Sequence, residues 1–398
     1  MGFTVFADDV SGAADAGICF TRLSSRTVVS LHPDPPLGED VGVWIAVTRD
    51  RALLGDALEQ SWRRWRPLAE RGAATGELVL KMDSLARGSW PHRLRQLLET
   101  SGSSLALVMP AVPALGRTTV AGVQLLRGQP VSETEAGRDP VTPVASSSLA
   151  ELAAEAGRIF ILGLEEVRAG SEAVARVLRR AIEKGANMVV ADATEDSHAA
   201  VVVVAVRRLG LRPVWAGSNM LLEALVDATS PSNLEDKGGG ATSPFKGEDK
   251  GGGAQLPPPH LYVIGSLSSA NREQLHELQA PVAELGKELP SAAGDLALVT
   301  PGAPDQQGPD AMSAATAVAV AELVGRQRWG TVAATGGETA AAVLLALGAW
   351  GLELVQRIGP GTVASRVLGG PHEGLCMVTK VGAMGTLADL SGRSHPSV

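Results

Sequence analysis

The chain has 398 residues, of which 45% are hydrophobic and 20% charged, with a formal net charge of -8. That length exceeds one ordinary core and suits two domains. The acidic balance excludes a general nucleic-acid binder, yet leaves room for a locally positive site that holds a small anion. Aromatic residues are only 3%, so the core must be built mainly from Val, Leu, Ile and Ala. Cys19 and Cys376, far apart, suggest neither a disulfide framework nor a Cys-rich metal centre, and the spacing of the histidines proposes no metal. The opening Met1–Asp8 carries no signal-peptide pattern, and the longest clean apolar run, Ala199–Val206, is too short to span a bilayer. A cytoplasmic protein with no membrane partner is the expectation.

Taken in chain order, strand-like runs at Phe3–Ala7, Val43–Val47, Leu78–Lys81, Leu105–Met109, Ile159–Leu162 and Met188–Ala191 are separated by helical stretches. Those stretches are Ala13–Thr21, Ala52–Ala69, His92–Thr100, Ser171–Lys184 and Ser197–Leu209. The alternation predicts an α/β domain with a mainly parallel sheet over residues 1–225. In such sheets ligands bind beyond the carboxyl ends of the strands, so the residues just after each run are the candidates. Asp8 and Asp9 follow the first. One can accept a proton from a substrate hydroxyl while the other binds a hydroxyl or caps the next helix, and Asp9 or Ser11 can equally serve as nothing more than that cap. Arg51 follows the second run. Lys81, Asp83, Ser84 and Arg87 crowd the end of the third: the cations suit a substrate carboxylate and the others its hydroxyls, unless they form only a surface ion-pair cluster. After Leu105–Met109, two prolines and a glycine stiffen a loop that presents Arg117. Leu54, Leu58, Trp62 and Trp65 fall on one helical face and read as packing.

Over residues 226–259 the character changes. Glu235–Ala241 recurs as Glu248–Ala254, polar and Gly-rich, followed by Pro257-Pro258-Pro259, which reads as a flexible linker. The pattern then resumes over 260–398: strands Leu261–Ile264, Leu296–Thr300, Thr331–Thr335, Leu352–Ile358 and Cys376–Lys380, helices Ala270–Leu278 and Ala311–Val324. Three of these strands end in glycine turns. Gly265-Ser266 follows the first; Lys380 and Gly382 close the last. Most informative is Gly336-Gly337-Glu338-Thr339, where a strand passes into a run of helix formers: glycines admit an anion close to the backbone, and the helix N-terminus offers unpaired N–H groups. No Walker A motif and no complete dinucleotide fingerprint is present, which disfavours a dinucleotide-dependent dehydrogenase.

Together these residues resemble the four-carbon acid sugar kinases. The resemblance rests on Ala7-Asp8-Asp9 with Gly12 and Asp15, Thr48 with Arg51, Lys81 with Asp83-Ser84 and Arg87-Gly88, and Pro110, Pro113 and Gly116-Arg117. It continues through Asp139-Pro140 with Pro143, Asp192-Ala193, Gly217-Ser218, Gly265-Ser266, Gly336–Thr339, Pro360-Gly361, and Lys380 with Gly382 and Gly385. It implies two Rossmann-like domains with a sugar acid in the first, ATP in the second and the reaction in a cleft between them. It also implies Mg²⁺ alongside ATP, a small-molecule sugar acid as partner, and a homo-oligomer as an open option; a non-catalytic sensor of the same ligands is the alternative. The chain departs from the family pattern at Ser11, Leu85-Ala86, Ser89, and Val381 with Ala383-Met384. The hydroxyl missing at Leu85 is expected to bear on substrate contacts, and the changes near Lys380 on nucleotide contacts.

Overall fold

A computed structural model describes residues 2–24, 26–35, 41–230, 256–265, 275–290, 294–300, 308–382 and 384–391. The chain folds as two compact α/β units, each with a mainly parallel sheet, as the alternation of elements implies. The units are not consecutive blocks. The first takes Met1–Asp8, Arg22–Ser25 and Val41–Glu248; the second takes Asp9–Thr21, Arg26–Asp40 and Asp249–Val398. The chain therefore leaves the first unit after one strand, contributes helix α1 (Val10–Gly17) and strand β2 (Thr27–Ser30) to the second, and returns. Most of the stretch expected as a linker lies outside the described residues; of its described part, Val226 and Asp227 close the helix Asn219–Asp227.

In the first unit, β1 (Gly2–Ala7), β3 (Val43–Val47), β4 (Gly76–Lys81), β5 (Ala106–Met109), β9 (Ile159–Leu162), β10 (Met188–Ala191) and β11 (Val214–Gly217) lie in the order β3-β1-β4-β11-β5-β10-β9. Every neighbouring pair is parallel. Alternate residues face opposite sides. Phe6, Ala46, Leu80, Val108, Val190 and Ala216 share a core with Trp62 and Trp65 of α2 (Gly55–Thr75) and with Trp90, Leu94 and Leu97 of α3 (Trp90–Ser101). The expected apolar face of α2 is buried except at Leu54, which precedes the helix and is 78% exposed. A separate antiparallel ribbon, β6 (Arg117–Val120), β7 (Val123–Leu126) and β8 (Gln129–Pro130), stands beside this sheet. Its two connections, Ala121-Gly122 and Arg127-Gly128, have positive φ at both residues, the two-residue geometry that matches strand twist.

In the second unit β12 (His260–Ile264), β13 (Val282–Glu284), β14 (Leu296–Val299), β15 (Thr331–Thr335), β16 (Gly351–Gly359), β17 (Thr362–Leu368) and β18 (Cys376–Lys380) join β2 in the order β13-β14-β12-β15-β18-β17-β16-β2. The first five run parallel; β17, β16 and β2 are antiparallel to their neighbours. All eight residues of α1 and all four of β2 are buried, so both are interior parts of this unit. Of the helix expected at Ala270–Leu278, only a 3-10 turn at Leu275–Leu278 falls among the described residues.

Candidate active site

Parallel register brings Ala7, Val47, Lys81, Gly217 and Met109 level, so β1, β3, β4, β11 and β5 end at one edge of the first sheet. The connections from β1 to β3 and from β3 to β4 go to opposite sides of β1, which makes its end a switch point where open sheets leave a crevice. Asp8 stands there. Arg51 donates from Nε to Asp8 Oδ2 at 2.6 Å and from Nη2 to Oδ1 at 2.8 Å. The loop carrying Arg51 is held from below. Buried Asp50 accepts from Thr48 Oγ1 at 2.6 Å and pairs with buried Arg93, whose guanidinium lies 4.8 Å over the Trp62 ring and donates to Gln96 at 2.8 Å. The Asp50–Arg93 pair went unread in the sequence; its signal was an arginine among the core leucines of α3.

Beyond β4 the cluster is tighter than a surface ion-pair group. Arg87 donates from Nε to Asp83 Oδ2 at 2.9 Å, from Nη2 to Asp83 Oδ1 at 2.8 Å and from Nη1 to Asp139 Oδ2 at 2.9 Å. Arg117 donates to Ser84 Oγ, while its Nε is buried with no hydrogen-bond partner. Lys81 is 8% exposed, and its ammonium has no hydrogen-bond or ion-pair partner among the described residues. Burial pushes the Asp83 carboxyl up, but the hydrogen bonds and charge of Arg87, with the charges of Arg51 and Lys81, hold it far below the carboxylate range. The hydrogen bond to Asp83 raises Arg87 in turn, whereas burial lowers Arg117. Two cations, Arg51 and Arg87, are thus clamped by carboxylates of the same unit, and two, Lys81 and Arg117, keep donors unused. Leu85 joins this cluster through its backbone, N donating to Asp83 Oδ2 at 3.1 Å, while its side chain is buried with Val131, Ala136 and Val144.

Arg117 owes its position to the ribbon. Gly116, at φ +67, turns the chain into β6, and Arg127 N donates to Gly116 O at 2.6 Å. The far turn is pinned by Asp192, at the end of β10, which accepts from Ala121 N at 2.6 Å and Gly122 N at 2.9 Å. Burial raises the Asp192 carboxyl despite these bonds.

In the second unit β15 ends at Thr335, level with Ile264 of β12 and Lys380 of β18. Gly336 adopts φ +85 and starts the helix Gly337–Ala346, with Glu338 exposed in its first turn. Gly336 N donates to Lys380 O at 2.8 Å. Gly265 packs so closely on Thr339 that a side chain there would strike the threonine hydroxyl. Gly265, Gly336, Gly337, Glu338, Thr339 and Lys380 therefore meet at one strand edge. Gly382 is exposed just past β18, and Ser266 lies outside the described residues. Asp9, expected beside Asp8 as a partner in proton transfer, falls in this unit as the N-cap of α1.

The fold is of the α/β class, with cations that keep unused donors at the strand ends of one unit and a glycine-opened helix in the other, features suited to anionic groups. Comparison with known proteins narrows this. A family model described as a sugar-binding N-terminal domain matches residues 3–225, and one described as a nucleotide-binding C-terminal domain matches residues 300–389. The D-threonate kinase of Cupriavidus necator is 31% identical, covering 98% of this chain and 96% of its own. The D-threonate kinase of Salmonella typhimurium is 26% identical over 97% and 96%. Among solved structures, a Salmonella typhimurium LT2 protein shares the fold with a TM-score of 0.78 at 18% identity, covering 98% of both chains. A Bordetella bronchiseptica protein with bound citrate, a domain-swapped dimer, is 28% identical with a TM-score of 0.50, covering 98% and 97%. The chain belongs to the four-carbon acid sugar kinase family.

Proposed function

We propose that the protein transfers the terminal phosphoryl group of ATP to a hydroxyl of a four-carbon sugar acid, with D-threonate the first candidate. The observation that carries the sugar-acid half is the pair of unused cationic donors: the ammonium of Lys81, a residue only 8% exposed, and a buried Nε on Arg117. A carboxylate on the ligand is the group that suits both, through charge-assisted hydrogen bonds. Arg87, already committed to Asp83 and Asp139, fixes the shape of the pocket wall, and Ser84 and Asp83 face the ligand hydroxyls. Asp8 and Asp9 are the candidate proton acceptors. The nucleotide half rests on Gly336–Thr339, with Gly265, Ser266 and Gly382 beside it, where helix N–H groups meet phosphate. Among the described residues no cluster of three or more metal-ligating side chains exists; Mg²⁺ fits here only as it usually does with ATP, on the phosphates with one carboxylate, and exposed Glu338 is suited to be that carboxylate. When bound, Mg²⁺ neutralises charge on the transferring group. No helix among the described residues is long and apolar enough to cross a membrane. The Bordetella relative's exchanged dimer supports a homo-oligomer for this chain too.

The test is ADP release from ATP across a panel of four-carbon and three-carbon sugar acids, D-threonate first. Stimulated release by one acid is the expected result. A sugar acid that binds without ADP release would instead establish the non-catalytic sensor.

A further inference from the structure

The loop between β1 and α1 carries two neighbouring carboxylates, and the fold separates them. Asp8 has both oxygens on Arg51. Asp9 is the N-cap of α1, with extended backbone at φ -144 and ψ 156; its Oδ1 accepts from Gly12 N at 2.6 Å and from Ser11 Oγ at 2.9 Å. The same carboxylate lies against the backbone of Gly337, the first residue of the helix Gly337–Ala346. A Cβ added at Gly337 would stand 2.7 Å from Asp9 Cγ and closer still to Oδ1. Asp9 thus fills the space that a side chain at 337 would need. The rest of α1 is anchored separately: Arg357 donates from Nη1 to Asp15 Oδ1 at 2.7 Å and from Nη2 to Asp15 O at 3.0 Å.

We propose that Asp9 is a positioning residue of the nucleotide turn and not the proton acceptor, which leaves that role to Asp8. By capping α1 and seating against Gly337, its carboxylate holds two helix N-termini in fixed relation, and with them the N–H groups that would receive phosphate. Gly337 is glycine because of Asp9. This inference rests on the nucleotide lying at Gly336–Thr339.

A double-mutant cycle on the full-length protein tests it, read as the dissociation constant for MgATP by calorimetry, with thermal melts to establish folding. Gly337→Ala alone weakens MgATP binding by about 10-fold, within the range for residues in contact. Asp9→Gly frees the space, and glycine is a tolerated N-cap. In that background Gly337→Ala costs no more than about twofold, while the sugar-acid affinity is the same in all four proteins. Asp9→Asn, which keeps cap and volume, lowers kcat by no more than about tenfold and retains the acid limb of the kcat pH profile, whereas a lost general base costs roughly 10²–10⁴. Equal costs of Gly337→Ala in both backgrounds, or loss of the acid limb in Asp9→Asn, overturns the proposal. Failure of the wild type to bind MgATP overturns the nucleotide reading itself and this inference with it.

Discussion

Lys81 and Arg87 sit six residues apart at one strand end, yet they hold opposite places in the balance between stability and function. Lys81 makes no hydrogen bond or ion pair among the described residues, so removing its charge costs the fold little while, on the proposed reading, depriving the ligand of a charge-assisted contact. Lys81→Met should raise the KM for the sugar acid by about 30-fold or more, the equivalent of 2 kcal/mol or more for a buried charge pair. It should leave the melting temperature equal or higher; a lower melting temperature with unchanged KM would contradict this account. Arg87→Ala does the reverse. It strands the Asp83 carboxylate, 7% exposed, without its guanidinium, a loss of about 3–5 kcal/mol when one member of a buried pair goes. The pH dependence has a defined sign. Asp83 is held below its unfolded value, so its contribution is complete above about pH 4 and fades as pH falls towards the folded value. Acid unfolding of Arg87→Ala, followed by circular dichroism, should therefore begin at higher pH than in the wild type.

At the scale of elements, the ribbon β6–β7–β8 is a device for aiming Arg117, and Asp192 is its anchor. Asp192→Asn puts an amide NH₂ where one of two backbone N–H groups now finds an oxygen. It should loosen the Ala121-Gly122 turn and raise the sugar-acid KM by about 5- to 30-fold, as expected for one or two lost charge-assisted bonds, while the MgATP affinity holds. Equal loss for both ligands would point to general unfolding instead. The ribbon also marks how far the sequence is legible. The parallel strands were readable because β-branched runs ending in polar residues repeat with helices between them, and the candidate site residues stood out because polar and charged side chains concentrate at those ends. The ribbon itself went unread beyond the stiff loop that leads into it, because Ala121 and Arg127 are unusual at positive φ and only the glycine after each hints at a turn. Leu85 drew notice only as a departure from the family pattern; its side-chain packing with Val131, Ala136 and Val144 shows only in the tertiary structure. Strand β17 was missed because Gly361 hides a hairpin inside what scans as one loop.

At the scale of the whole molecule, the discontinuity of the units has no sequence signature: α1 reads as an ordinary helix following the first strand. Its consequence for stability is direct. A fragment of residues 256–398 lacks α1, lacks β2 at the sheet edge, and leaves Arg357 without Asp15. Each α1 residue is small and buried, so its absence opens a trench along the core. The fragment should show no cooperative thermal transition and poorly dispersed amide resonances; a folded fragment would contradict the assignment of Asp9–Thr21 and Arg26–Asp40 to this unit. The same discontinuity sets an order of events on the ribosome. The first helix to emerge meets β2 early but waits for the helix Gly337–Ala346 and the strands after it until the chain is nearly complete. The second unit is therefore completed only after its oldest and newest segments meet, so a chain truncated before the helix Gly337–Ala346 ends translation with α1 lacking that helix and the strands β16, β17 and β18.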